Sequence, residues 1–270
     1  MERPRTADLH QAELLWPVVD TARLFASRAA YEQFVAEGRW RVRITGGGSA
    51  AILDRWRHGM PILAIRGVWA PSAQIPVFVR DALELGRQMG MDRVLSPLVS
   101  REILPAYEEA GMRALEEIVA FRARPGDIRH AGFAEELEVR RADPSDAPGI
   151  IEVDRHSFFP FWRYGEFEID EALRDGRVVV VGDAGTTVGY SILTMSRGIA
   201  MLARVAVLPT YRGRGIAKAL VSDAARYAER SSAVEVTLCT QATNADARGL
   251  YRSAGLTEVT EPYVLAVTEE

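Results

Sequence analysis

The sequence predicts an α/β (α+β) protein made of two tandem copies of one unit. Three observations predict it. Segments with apolar residues at helical spacing alternate with short runs rich in branched residues, each bounded by glycine or proline. Landmarks recur at a fixed distance: Gly38 and Gly176 are 138 residues apart, and so are Pro71 and Pro209. Tyr107-x-x-x-Gly111 and Tyr251-x-x-x-Gly255 are 144 apart, so the second copy carries 6 extra residues between its proline and its tyrosine.

Each element has its own signal. Residues 1–8 are polar and expected to fray. Residues 9–37 carry helical spacing (Leu14, Leu15, Val18; Leu24, Phe25; Tyr31, Phe34, Val35), with a break or kink at Pro17 and a stop at Gly38. Residues 39–44 alternate polar and apolar, Gly46-Gly47-Gly48 turns, and 50–56 returns, which reads as a hairpin. A phosphate loop is disfavoured there, because a strand follows the glycines. Residues 61–69 form a strand ended by Pro71, 77–89 an amphipathic helix, 94–98 a short strand, 103–110 a helix closed by Gly111, and 117–124 a strand. A linker follows from Pro125 to about Ala134.

The second half repeats the order. Asp143 caps a helix over 144–153, residues 158–162 make an aromatic break, and 167–173 form a helix closed by Gly176. Residues 177–181 and 188–194 form a hairpin, and 199–207 is a strand ended by Pro209. The expected domains are 1–130 and 131–270.

Composition bounds the function. A chain of 270 residues, 48% hydrophobic and 26% charged, is that of an ordinary globular protein, and a net charge of −4 argues against a broad nucleic-acid footprint. The single cysteine, Cys239, excludes an internal disulfide and is expected to be a buried strand residue. His10, His58, His130 and His156 show no metal-ligand spacing, so no metal is expected. No apolar run approaches the ~18 residues of a membrane span. Met1-Glu2-Arg3-Pro4 precedes no signal-peptide apolar region. The expectation is a cytoplasmic protein with no nucleic-acid or membrane partner.

The stretch 205–220 carries the strongest chemical signal. It begins as a strand at Val205, Ala206 and Val207 and stops at Pro209. Arg212, Gly213, Arg214 and Gly215 form a loop that enters a helix at Ile216 and Ala217. Loop amides and the free N–H groups of a first helical turn converge on an anion, and the two arginines add charge. The pattern is neither G-x-x-x-x-G-K-[ST] nor G-x-G-x-x-G: Lys218 has no Ser or Thr after it and stands where the second pattern needs glycine. Taken alone, a strand–turn–helix without a ligand would explain it.

A second stretch, 244–256, reads N-x-x-A-x-x-L-Y-x-x-x-G-[apolar], from Asn244 through Tyr251 to Leu256. Together with V-x-P-x-Y-R-G-x-G-[IL]-A over 207–217, it resembles the GNAT superfamily of acyl-CoA N-acyltransferases, from about residue 137 to the end. The resemblance implies two tandem GNAT-like domains, each a mixed, mostly antiparallel sheet flanked by helices. It implies acetyl-CoA (coenzyme A) as cosubstrate and a small-molecule or peptide amine as acceptor. The C-terminal half resembles the ribosomal-protein alanine N-acetyltransferases in motif wording, and the tandem layout is also that of mycothiol-synthase-like acetyltransferases. Acyl-CoA binding without turnover is the reading from another class.

The resemblance assigns roles. Arg212, Gly213, Arg214, Gly215, Ile216 and Ala217 would hold the pyrophosphate, and backbone N–H groups at Val205 and Val207 would face the pantetheine and the acetyl oxygen. Asn244 would bond the pantetheine arm, its other role being a helix N-cap. Tyr251 would protonate the leaving thiolate, its other role being core packing. Many relatives carry a glutamate base where Ala203 stands here; neither Ala203 nor Leu202 can replace it, and Arg204 is cationic. His156, Glu152, Asp154, Glu166 and Glu168 are the remaining candidates, each read first as a solvated surface residue. Phe159, Phe161 and Trp162 lie where relatives place the acceptor-binding loop, their other role being a helix–helix packing corner. The first copy has no glycine between Pro71 and Arg80, carries Pro76 where an amide would be needed, and has no Asn-x-x-Ala before Tyr107. It is expected to be a degenerate copy without a cofactor site, packing against the other and closing one side of the acceptor cleft.

Overall fold

The computed structural model describes residues 2–22, 24–25 and 27–268, so Met1, Arg23 and Ala26 of the segments above lie outside it. The chain divides into two compact units, residues 1–118 with 261–270, and residues 119–260.

The first unit opens with β1 (Arg5–Thr6), paired antiparallel with a later strand where fraying was expected. The 9–37 segment is three helices, α1 (Leu9–Leu14), α2 (Trp16–Val19) and α3 (Arg28–Glu37). Pro17 sits in the first turn of α2, where a missing N–H costs nothing, so the proline starts a helix. A short 3₁₀ turn over Arg39–Arg41 replaces the first half of the expected strand. Then follow β2 (Val42–Ile44), β3 (Ala50–Arg55), β4 (Ile62–Trp69), α4 (Ile75–Gln88), β5 (Arg93–Leu95), α5 (Leu104–Glu108) and β6 (Met112–Ala123).

The second unit takes the end of β6, then β7 (Glu138–Arg141), α6 (Ala147–Ser157), α7 (Glu166–Asp175), β8 (Arg177–Asp183), β9 (Thr186–Ser196) and β10 (Ile199–Val207). It continues through α8 (Ile216–Arg230), β11 (Glu235–Gln241), α9 (Ala245–Ser253) and β12 (Thr257–Glu258). The last strand, β13 (Tyr263–Thr268), belongs to the first unit.

Strand order in the first unit is β1-β2-β3-β4-β5-β13-β6. In the second it is β7-β8-β9-β10-β11 and then the last part of β6, with β12 also on β6. Each unit has a parallel pair, β4 with β5 and β10 with β11, among antiparallel neighbours. The contact-defined division therefore falls elsewhere than 130/131. β13 has Val264, Leu265, Ala266 and Val267 all buried, as a strand covered on both faces must. Phe121, at the end of β6, is buried in the core of the second unit with Tyr251 and Leu256. The expected linker is anchored there too: Ile128 is in that core, and the Arg129 N–H donates to the Ala254 carbonyl at 2.8 Å.

Candidate active site

Strand pairing in the second unit makes an opening. β10 and β11 pair only at Ile199↔Glu235, Ala200↔Val236 and Met201↔Thr237. β10 continues to Val207, paired with β9 as far as Val207↔Gly189. From Leu202 onward, its other edge has no strand partner among the described residues. Val205 and Val207 are on this stretch.

Where β10 ends, Pro209–Tyr211 makes a 3₁₀ turn and the glycine loop enters α8. Gly215 is the N-cap at φ +82°, a left-handed conformation open to glycine without a Cβ penalty. It has no side chain with which to cap the helix, so the first-turn amides at Ile216 and Ala217 remain available. A Cβ at Gly213 or Gly215 would meet no atom within 4 Å, so the space beside this backbone is open. Arg212 and Arg214 are exposed beside it. The Arg214 guanidinium lies 4.6 Å from the ring centre of Tyr211, whose hydroxyl donates to Asp183 at 2.8 Å. Open backbone, uncapped amides and two arginines fit a pyrophosphate.

The first unit lacks this arrangement. The 3₁₀ turn Ser72–Gln74 runs directly into α4, and Pro76 occupies its first turn without an N–H. Ile75 and Ile216 are 141 residues apart, so 3 of the 6 extra residues of the second copy lie in its loop. The hollow beside the start of α4 is lined by Glu2, Thr45, Gly47, Gln74, Val77 and Phe78. Glu2 brings a carboxylate there, accepting from the Gly46 N–H at 2.8 Å.

Asn244 is the N-cap of α9, its Oδ1 accepting from the Ala247 N–H at 3.1 Å. Tyr251 is 8% exposed and packs edge-on against Phe121 with ring centres 5.4 Å apart. Burial, with a smaller contribution from Cys239, pushes its phenol up to about 12. Its hydroxyl has no hydrogen-bond partner among the described residues. Cys239 is exposed, contrary to expectation: β11 buries Val236, Leu238 and Thr240, and alternation turns Cys239 to the other face.

The candidate bases separate. Glu152 accepts from Arg155 and lies 3.2 Å from Nδ1 of exposed His156. Glu168 accepts from the Gly165 N–H at 2.8 Å, while Glu166 stands exposed in the first turn of α7. Asp154 is not a solvated surface residue: it is 0% exposed. Its Oδ2 lies 2.9 Å from Nε and 2.8 Å from Nη2 of Arg204, and accepts from the Tyr190 hydroxyl. Its Oδ1 accepts from the Tyr164 N–H at 2.8 Å. Arg204 also donates to the Trp162 carbonyl. Removing one partner of such a buried pair costs about 3–5 kcal/mol, because the other charge is left uncompensated.

A β-bulge places Arg204 there. The β9–β10 register shifts between Leu202 and Arg204, so Ala203 is the extra residue. Ala203 and Ala206 pack in the α6 cluster, while Leu202, Val205 and Val207 pack in the clusters with α8. The bulge turns Ala203 and Arg204 to the α6 face in succession. Phe158 packs in that cluster, Phe159 is 82% exposed, and Phe161 and Trp162 meet edge-on at 5.0 Å. In the sequence alone, Arg204 reads as a lone cation. An arginine inside an apolar strand was itself the signal, since such a charge is buried only with a partner.

Comparisons with known proteins agree with this geometry. Residues 147–256 match the family model described as Acetyltransferase (GNAT) family. No curated protein matches the chain. A tandem GNAT protein from the clavulanic acid biosynthesis pathway aligns at 14% identity over 100% of this chain and 98% of its own, with a TM-score of 0.71. A GCN5-related N-acetyltransferase from Sphaerobacter thermophilus aligns at 20% identity over 98% and 95%, with a TM-score of 0.65. The ribosomal-protein-S18-alanine N-acetyltransferase from Escherichia coli covers 49% of this chain and 92% of its own at 19% identity; its TM-score of 0.44 carries no acceptor assignment. Residues 147–256 thus match the acetyltransferase (GNAT) family, and the chain has the fold of a tandem GNAT protein over its full length.

Proposed function

We propose that the second unit transfers the acetyl group of acetyl-CoA directly to a primary amine, and that the first unit is a degenerate copy without a cofactor site. The observation that carries this reading is the parting of β10 from β11 after Met201 and Thr237, beside the glycine loop and in the same unit as Tyr251. Acetyl-CoA supplies an activated thioester carbonyl. The amides of 213–217 and the guanidinium groups of Arg212 and Arg214 bind its pyrophosphate. The unpaired edge of β10 at Val205 and Val207 offers N–H groups to the pantetheine and to the carbonyl oxygen; one such donor contributes about 3 kcal/mol where charge develops. Asn244 keeps its side-chain NH₂ for the pantetheine while its oxygen caps α9. Tyr251, neutral at physiological pH, holds the proton for the departing thiolate. Phe159, Phe161 and Trp162 contact the acceptor.

The amine must arrive neutral or lose its proton through water. Asp154 is enclosed by Arg204, Tyr190 and Tyr164, while Glu152 and Glu168 are occupied by local partners. That observation favours a second reading, acyl-CoA binding without turnover. One experiment tests both. Acetyl-CoA binding is measured by calorimetry. Thiol release is then followed with an alanyl peptide amide, glucosamine, spermidine and tyramine. Amine-dependent release supports transfer, binding without release supports the second reading, and absence of binding overturns both.

A further inference from the structure

The Asp154–Arg204 pair has no role in the transfer chemistry above, yet it joins four parts of the second unit. Asp154 lies on α6, Arg204 and Tyr190 on β10 and β9, and Tyr164 and Trp162 in the segment between α6 and α7. Asp154, Tyr190 and Arg204 are 0%, 0% and 8% exposed. The guanidinium carbon sits 3.7 Å from the ring centre of Phe158 and 3.9 Å from that of Tyr164, so the cation lies between two aromatic faces. Both ends of segment 158–164 are thereby held, one through Phe158 and the other through Tyr164. Its middle is held by the bond from Arg204 to the Trp162 carbonyl. Within the segment, the Trp162 N–H donates to the Phe159 carbonyl at 2.9 Å and Arg163 Nε to the Phe158 carbonyl at 2.9 Å. What remains outside is Phe159.

Only arginine meets all of these demands. A planar guanidinium can stack on two rings and still donate in its own plane to a carboxylate and a carbonyl, whereas a lysine ammonium is a point charge without faces. The bulge at Ala203 is what turns this side chain to the α6 face.

We propose that Arg204 is a positioning residue: paired with Asp154, it fixes segment 158–164 against β10 and so sets how tightly the acceptor amine is held. The proposal rests on the acetyltransfer reading for its kinetic consequence, but not for its structural one. Asp154 and Arg204 do not exchange protons with substrate, and acetyl-CoA is bound by other residues.

The test uses the full chain, Arg204→Lys, and the doubly neutral Asp154→Asn/Arg204→Gln, which leaves no uncompensated buried charge if Arg204→Lys fails to fold. Steady-state rates are measured with acetyl-CoA and the fastest amine of the panel above, and amide hydrogen exchange is followed in parallel. The expected result is a tenfold or greater rise in acceptor KM, with acetyl-CoA KM within twofold of wild type and the shape of the kcat–pH profile unchanged. Exchange of amides in 158–164 should rise at least tenfold, while amides of β8 and β9 keep their protection. Unchanged acceptor KM, an equal rise in both KM values, or unchanged exchange in 158–164 would overturn it. If the wild type transfers to no amine, the acetyltransfer reading fails by itself, and the exchange measurement alone decides whether Arg204 holds the segment.

Discussion

Tyr251 and Gly215 are the residues on which the proposed chemistry turns. Tyr251→Phe keeps the ring against Phe121 and removes only the hydroxyl, so CoA affinity should hold while turnover falls roughly ten- to a thousandfold. Unchanged turnover would leave Tyr251 a packing residue. Its pKa makes a second statement. A phenol raised from 10.0 to about 12 contributes stability that is complete below pH 10 and lost as pH rises through about 12. Loss of activity between pH 8 and 10 should therefore be the same in wild type and Tyr251→Phe when scaled to each maximum; a wild-type limb that the substitution removes would contradict a pKa near 12. Gly215→Val puts a branched side chain at φ +82° and into the open space beside the loop. CoA affinity measured by calorimetry should fall at least a hundredfold while the thermal midpoint drops only a few degrees, because nothing lies within 4 Å to clash. Wild-type affinity would place the phosphates elsewhere.

At the scale of elements, the end of α9 shows a glycine with the opposite logic. Gly255 has φ +99°, and a Cβ there would stand 2.7 Å from the Asp127 carbonyl oxygen. The Gly255 N–H donates to Arg252 and the Leu256 N–H to Tyr251, closing the helix. Gly255→Ala should cost about 2 kcal/mol or more in denaturant unfolding, from backbone strain plus a clash against backbone that side-chain rotation cannot relieve. A loss below about 0.5 kcal/mol would mean that the 125–128 turn gives way freely. The motif glycines thus divide by surroundings: Gly213 and Gly215 face open space, and Gly255 faces protein.

At the scale of the molecule, the last strand sets the prediction. β13 fills the first unit's sheet between β5 and β6. Thr268 Oγ1 accepts from the Val94 N–H at 2.9 Å, and Ser96 Oγ accepts from the Ala266 N–H at 2.8 Å. Deleting residues 261–270 should strip hydrogen-exchange protection from 2–118 and leave it in 119–260. Loss confined to 119–260 would overturn the division. By the same reasoning a fragment 131–270 should not fold, since it lacks Phe121, whereas 119–260 retains every strand of its sheet. Calorimetry with CoA on the whole chain should count one site, because Pro76 and the absent loop deny the first unit a cradle. Two equivalent sites would contradict the degenerate copy.

Local chemistry made much of this protein legible in its sequence. Helical spacing, glycine stops and proline ends foretold the order of elements, because each signal acts within a few residues; β10 was read to the residue at both ends. The repeat of landmarks implied two copies, and Gly213, Gly215 and Pro76 marked where they diverge, because φ > 0 and a missing N–H are properties of single residues. Pairing between distant segments was decided by tertiary structure alone. Nothing near Tyr263 says that its strand completes the first unit, nor does anything near Phe121 say that it packs on Tyr251 in the second. The parting of β10 from β11, the exposure of Cys239 and the enclosure of Asp154 by Arg204 depend in the same way on segments 36 to 50 residues apart. Strand register and buried charge are settled by which partner arrives, and the sequence around a single residue does not carry that information.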